Sequence, residues 1–234
     1  MLFKMVRKII HTFLISGMVV SLFLAVFLTS LQYVAFNRNF YKEEYEKNNV
    51  MSVTGMSIDE LMKVTQIMQK YLMDKEETLD VMAKINGSMQ RMFNDRELAH
   101  MKDVKDLFQM GFLTRNISII VFILIFTYFL FEKSFYKAFD YLLKGTIFII
   151  ILLLVFALAV TLNFDNWFTG FHLVFFDNDL WLLNVETDRL IQMFPLEFFQ
   201  DAVFVIFRNT FFTFIVILAI VYGVVKMTKK PVFK

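Results

Sequence analysis

Apolar side chains collect in four blocks, roughly residues 9–35, 116–131, 145–163 and 203–225, and every charged residue except Arg208 falls between them or at the chain ends. A helix needs about 20 largely uncharged residues to cross a hydrocarbon core about 30 Å thick. Each block therefore predicts a transmembrane helix, the second drawing on Phe112, Leu113 and Phe131 at its flanks to reach span length. The first block follows a basic start, as a secretory signal does. Its apolar length and the lack of a small-x-small cleavage site near Ala35 favour a retained anchor.

Lys and Arg close to span ends stay on the cytoplasmic side. Lys4, Arg7 and Lys8 precede the first block, Lys133, Lys137 and Lys144 fill the short second loop, and Lys226, Lys229, Lys230 and Lys234 follow the fourth. Both termini are thus expected inside. The segment 164–202 is acidic, with Arg189 as its one basic residue, and is expected outside together with 36–115. The reading is an all-α membrane protein with a helical extracytoplasmic cap built from the first and third interhelical segments. Its parts are a first transmembrane helix (1–35), an extracytoplasmic helical region (36–115), and the second and third transmembrane helices with a short cytoplasmic loop (116–163). A second extracytoplasmic segment (164–202) and a fourth transmembrane helix with a basic cytoplasmic tail (203–234) complete it.

Within 36–115 the period is helical rather than alternating. Ser57-Ile-Asp-Glu60 fits a capping box, and Leu61, Val64, Ile67, Met68, Tyr71 and Leu72 recur at helical spacing. Asn86-Gly87 marks a turn, and Asn94-Asp95 caps a further helix expected to run to about Met110 and to close at Gly111. An unbroken helix from His100 to Asn116 would lift the imidazole about 24 Å at 1.5 Å per residue. A break at Gly111 is therefore expected, laying the helix across the outer surface with His100 near the headgroups. In 164–202, Trp167 is an interfacial type of residue and 185–194 reads as a short amphipathic helix begun by Thr187 or Asp188. Pro195 is placed to open the last helix. On that helix Arg208 falls about 27 Å from Lys226, near the outer boundary, as a snorkelling residue or a substrate clamp.

Composition narrows the chemistry. The chain is 58% hydrophobic and 20% charged, which suits a membrane protein with a sizeable watery part. Without cysteine it has no disulfide, thiol nucleophile or thiolate metal site, and a net charge of +2 gives no basis for nucleic-acid binding. Neither G-x-S-x-G, a P-loop, H-E-x-x-H nor a Rossmann glycine pattern occurs. What remains is histidine. His11, beside Lys8 at the inner surface, reads as solvated, whereas His100 and His172 both fall on the outer side among acidic and aromatic neighbours. A side chain that titrates near neutral pH, used twice on one face, is a candidate acid/base pair. Glu97 and Asp103, about a helical turn from His100, are candidate orienting groups, which favours His100 as base. A metal site on His100, His172, Asp103 and Glu97 is a weaker reading, because no tight ligand spacing occurs. A non-catalytic membrane chaperone or sensor, docking partners on helix 57–72, is a third.

The chain also resembles the bacterial lipoprotein intramolecular transacylase family. The matching stretches are Ser57-Ile-Asp-Glu-Leu-Met-Lys-Val64, Asp95-Arg-Glu-Leu-Ala-His-Met-Lys-Asp-Val-Lys-Asp-Leu-Phe108, Phe171-His-Leu-Val-Phe-Phe176 and the block from Trp181 to Phe199. Asn184-Val-Glu departs from a Leu-Asp-Pro-like turn in the family pattern. The resemblance implies a cofactor-free acyltransferase of the bacterial cell membrane with its site on the extracytoplasmic face. It implies transfer of the sn-2 acyl chain of a diacylglyceryl-cysteine lipoprotein to that cysteine's own α-amino group, giving the lyso-form. The family's two functional histidines fall on His100 and His172. The implied partners are a diacylated lipoprotein and membrane lipid. A metal-dependent lipid hydrolase is the remaining enzymatic alternative.

Overall fold

Each apolar block is the middle of a longer helix. A computed structural model describes residues 2–132 and 135–229. Its elements are α1 (Leu2–Ala35), α2 (Arg38–Lys47), α3 (Val50–Thr54), α4 (Ile58–Leu72), β1 (Met82–Ile85), β2 (Ser88–Arg91), α5 (Asp95–Phe131), α6 (Phe135–Leu162), α7 (Phe164–Phe175), α8 (Arg189–Met193) and α9 (Leu196–Lys229). Lys133, Lys230 and Lys234 lie outside the described residues, as do the side chains of Lys4 and Lys229. Four helices, α1, α5, α6 and α9, are long and apolar enough to cross a membrane. The chain divides into two units, one of residues 1–31, 113–159 and 206–234, the other of 32–112 and 160–205.

The first unit is the apolar one. Met18, Phe129, Ala138, Leu142, Val221 and Val225 form one buried cluster and Ile149, Leu153 and Phe214 another. Helices α1 and α6 approach closely at Gly145, where an added Cβ would sit 2.4 Å from the Val19 side chain. The buried hydroxyls of Ser21 and Thr210 donate to carbonyls of their own helices, Met18 and Ile206, which keeps donors satisfied where no water reaches. Outward residues such as Phe13, Leu124, Leu152, Val155 and Val216 are apolar and exposed, the surface that lipid tails cover. His11 departs from expectation. It is half-buried against the edges of Phe129 and Tyr128, with Nε2 3.3 Å from Glu132, because the same carboxylate also draws in Arg7 and the Tyr128 hydroxyl.

The second unit is not all helix. Ser57 caps α4 by accepting from the Glu60 amide at 3.3 Å. The Glu60 carboxylate, however, turns to the Lys84 amide of β1 at 3.0 Å instead of closing the expected box. Strands β1 and β2 pair antiparallel with Ile85 opposite Ser88, so the helical reading of the whole 36–115 region is corrected here. Asn86 and Gly87 both take positive φ, 49° and 83°, the two-residue turn that matches strand twist. Gly55, at φ 67°, closes α3. Its carbonyl accepts the Asn86 amide at 2.9 Å, so the hairpin tip is stitched to α3. Leu61, Val64, Ile85, Met92, Phe93 and Met193 fill the core, with the Tyr45 and Thr65 hydroxyls hydrogen-bonded at 2.6 Å inside it.

Two further expectations are corrected. Helix α5 does not break at Gly111 but runs unbroken from Asp95 to Phe131. Gly111 has no positive φ, and glycine inside a helix costs only about 1 kcal/mol relative to alanine. Contacts in the two turns before it offset the cost: Lys105 pairs with Asp74 at 2.6 Å and Gln109 donates to the Leu72 carbonyl at 2.6 Å. Helix α8 is shorter than the 185–194 expected, because Asp188 folds the preceding residues into a turn by accepting from the Asn184 amide at 2.8 Å. Pro195 stands just before α9, as expected, and its carbonyl receives the Phe198 amide at 3.0 Å.

Candidate active site

The second unit brings His100 and His172 face to face. Their ring centroids are 6.2 Å apart with planes inclined by 34°. They are 72 residues apart in sequence, and what joins them is the way α5 begins and the way α7 packs. Asn94 and Glu97 make a reciprocal cap: the Asn94 side-chain oxygen accepts the Glu97 amide at 3.0 Å and Glu97 Oε2 accepts the Asn94 amide at 2.7 Å. His100 follows one turn later, in the charged stretch of α5 that precedes its apolar, membrane-spanning part.

Glu97 does more than cap its own helix. It is 1% exposed, and its Oε1 accepts the Leu190 amide at 2.6 Å, at the start of α8. Asp188, the residue before α8, accepts from Asn94 Nδ2 at 2.9 Å. Residues 184–190 are thereby fastened to the beginning of α5. Burial pushes the Glu97 carboxyl above the usual range, against the pull of the amides. The sequence suggested Glu97 as an orienting group for His100; here both its oxygens engage backbone amides.

His172 lies on the buried face of α7 and is held on three sides. Its Nδ1 is 2.7 Å from the Phe168 carbonyl, one turn earlier on the same helix. A carbonyl only accepts, so Nδ1 carries the hydrogen and Nε2 presents the lone pair. Trp181 stacks on the ring at 4.7 Å and 27°, and Phe168 meets it at 4.4 Å. Trp181 is itself fixed by donating its indole N–H to the Asn178 carbonyl at 3.1 Å. Asn178 also donates to Asp103 at 2.9 Å, which links the α7–α8 connection back to the helix of His100. Phe176 closes the gap, 5.3 Å from His100 and 5.6 Å from His172.

Both imidazoles are 7% exposed, and burial dominates their ionisation. His100 falls from its ordinary 6.5 to about 4, through burial first, then the neighbouring His172; Asp103 opposes the fall weakly and Arg96 adds to it. His172 is also lowered by burial, opposed by the Phe168 carbonyl. The resting pair is neutral at pH 7, one ring with a fixed acceptor nitrogen and the other with a buried Nδ1 that has no hydrogen-bond partner within the protein. Among the described residues no three His, Asp or Glu side chains converge in metal-ligand fashion, with Glu97 drawn to Leu190 and Asp103 to Asn178. Arg208 is exposed on α9 in the first unit. Of the residues around the imidazoles, Asn178 and Phe168 carried no sequence signal, since an amide and an aromatic in polar and apolar runs are ordinary there.

The fold is that of an integral, multi-pass helical membrane protein. Residues 16–199 match the family described as lipoprotein intramolecular transacylase Lit, and the chain belongs to that family. An uncharacterized protein of Aquifex aeolicus (strain VF5) is 30% identical over 215 residues, which cover 90% of each chain. Among solved structures, the in meso structure of the membrane integral lipoprotein intramolecular transacylase Lit from Bacillus cereus superposes with a TM-score of 0.81 at 22% identity, covering 95% of this chain and 99% of that one. A histidine-to-alanine variant of the same Bacillus cereus protein gives 0.77 at 21% identity, over 95% and 97% of the two chains. At such identities the likeness is one of fold.

Proposed function

We propose that this protein transfers the sn-2 acyl chain of a diacylglyceryl-cysteine lipoprotein to the α-amino group of the same cysteine, at the extracytoplasmic face of the membrane. The observation that carries this reading is the pair of buried, facing imidazoles 6.2 Å apart. The amine nitrogen attacks the ester carbonyl carbon, an N–C bond forms, the ester C–O bond breaks, and the proton lost by nitrogen ends on the glycerol oxygen. Nothing in this sequence of steps needs an enzyme nucleophile or a cofactor. Amine and ester belong to one molecule, so holding it in a reactive fold supplies much of the acceleration.

His172 is the base in this scheme. Its lone pair at Nε2 is aimed by the Phe168 carbonyl and by the stack on Trp181. His100, neutral and buried, donates an N–H to the developing oxyanion or to the departing glycerol oxygen. The assignment reverses the one suggested by the carboxylates beside His100, because those carboxylates bind Leu190 and Asn178. General acid/base help of this kind is worth about 10²–10⁴-fold in rate. The aromatic wall of Phe168, Phe176 and Trp181 suits an acyl chain and keeps water from the ester. The outward placement is supported by the basic residues that flank the spans on one side and by the acidic character of 164–202.

Mass spectrometry of a synthetic diacylated lipopeptide, incubated with the purified protein in vesicles, tests the proposal. The acyl group is expected on the amino terminus with total mass unchanged. His100→Ala and His172→Ala are each expected to remove that product while the protein keeps its thermal unfolding transition. Full activity in either variant, or release of free fatty acid by the parent, removes the reading.

A further inference from the structure

Helix α7 separates its residues into three strips. Phe164, Phe168 and His172, four residues apart, point into the unit. Asp165, Asn166 and Thr169 occupy one exposed flank, with Leu173 the apolar exception. The other flank carries Trp167, Phe171, Val174 and Phe175, which are 42%, 44%, 76% and 50% exposed. At about 100° per residue these four fall within one strip roughly 100° wide, the width of a lipid- or core-facing stripe. Such a strip of three large rings and a valine is not stable against water.

The chain itself says what lies beside it. A single residue, Asn163, separates the end of α6 at Leu162 from the start of α7 at Phe164. The last turns of α6 are lipid-type surface, with Leu158 and Leu162 at 61% and 76% exposure. One residue spans at most about 3.6 Å, so the first turn of α7 begins where a membrane-crossing helix ends. Trp at such a boundary is the side chain that settles at headgroup level.

We infer that α7 lies in the membrane interface, with the Trp167–Phe171–Val174–Phe175 strip seated in the upper acyl region of the bilayer. The occupant of this surface is lipid. The contact stands on the helix and its connection to α6 alone; its use rests on the proposed acyl transfer. A glycerol ester sits where chains meet headgroups, and an interfacial helix carries His172 at that depth without lifting the acyl chains out of the membrane.

Trp167 and Trp181 are the two tryptophans of the chain, so Trp181→Phe leaves Trp167 as the sole reporter. Reconstituted into phosphatidylcholine vesicles, its fluorescence is expected to be quenched by lipids brominated high on the acyl chain, and less by lipids brominated near the chain end. Lack of quenching, as for a surface in water or covered by a second copy, overturns the inference; so does stronger quenching by the deep label. The chain contains no cysteine, so Phe171→Cys carries a single spin label, read in an otherwise unsubstituted background. The label is expected to be more accessible to oxygen than to a water-soluble nickel chelate, and the reverse order overturns the inference as well. His100→Ala, chosen to stop acyl transfer, is expected to leave both readouts unchanged. Loss of quenching in Trp181→Phe, with transfer by the parent protein intact, sinks the interfacial helix and spares the transacylase reading.

Discussion

Replacing Glu97 by alanine asks whether this carboxylate builds the site or acts in it. The side chain is buried and accepts from two backbone amides, Asn94 at 2.7 Å and Leu190 at 2.6 Å. Each buried N–H left without an acceptor costs about 1–3 kcal/mol, and loss of the cap on α5 is part of the same sum. The variant should therefore lose roughly 2–4 kcal/mol. For a chain of this length that lowers the unfolding midpoint by roughly 4–16 °C. Glu97→Gln keeps one acceptor oxygen but sets its amide hydrogens against the other N–H, so it should fall between the parent and Glu97→Ala. The assay is thermal unfolding of the detergent-solubilised protein by intrinsic fluorescence, run beside the lipopeptide assay on the same samples. Activity should decline with the folded fraction in both variants. A Glu97→Ala protein that unfolds at the parent's temperature yet transfers no acyl chain would show that the carboxylate serves the imidazole directly, and the argument from its amide contacts would be wrong.

Two other outcomes follow from the site and the hairpin. Both histidines titrate below their ordinary 6.5, His100 at about 4, so the pair is neutral at pH 7. In the proposed transfer the substrate's α-amino group, with a reference value about 7.7–8.0, is what must lose its proton first. kcat/KM is therefore expected to rise with pH up to about 8 and then level off, the histidine limb appearing only below 6.5; a profile with its main inflection at 6.5 contradicts the buried pair. Gly55→Ala puts a Cβ 2.2 Å from the Asn86 side chain at a φ of 67°. The strain and overlap together cost roughly 2–4 kcal/mol, read as a lower unfolding midpoint with the helical circular dichroism retained, and an unchanged midpoint would remove the stitch between hairpin and α3.

Long-range geometry was the part of this molecule that the sequence held least. The four spans, the Ser57 cap, the Asn94 start of α5 and Pro195 before α9 were legible because each is a local rule acting over one or two turns. The hairpin was not, since Met82–Ile85 and Ser88–Arg91 mix Met, Lys, Gln and Arg and show only their Asn86-Gly87 turn. The break wrongly expected at Gly111 came from ending the membrane at the last apolar residue. Helix α6 is 28 residues long, and the same length counted back from Phe131 ends at Val104, one turn beyond His100. An unbroken α5 therefore needs no fold to bring an imidazole near the level at which α7 begins. The two histidines themselves were legible as rare residue types. The contacts around them were not, because Glu97 reaches Leu190 and Asp103 reaches Asn178, from one outer segment to the other.

The bond from His172 to the Phe168 carbonyl has a consequence for timing. A carboxylate in that position would aim the ring and also stabilise its positive form, letting the proton rest there. A neutral carbonyl aims the ring and shelters the charge only in part, since burial still holds the ring below its ordinary 6.5. An imidazolium formed in this apolar enclosure is a high-energy species, driven to give its proton up at once. In the proposed transfer the taker is the glycerol alkoxide, so bond-making at nitrogen and bond-breaking at oxygen become two ends of one proton flight, with little chance for the adduct to linger or for water to intervene.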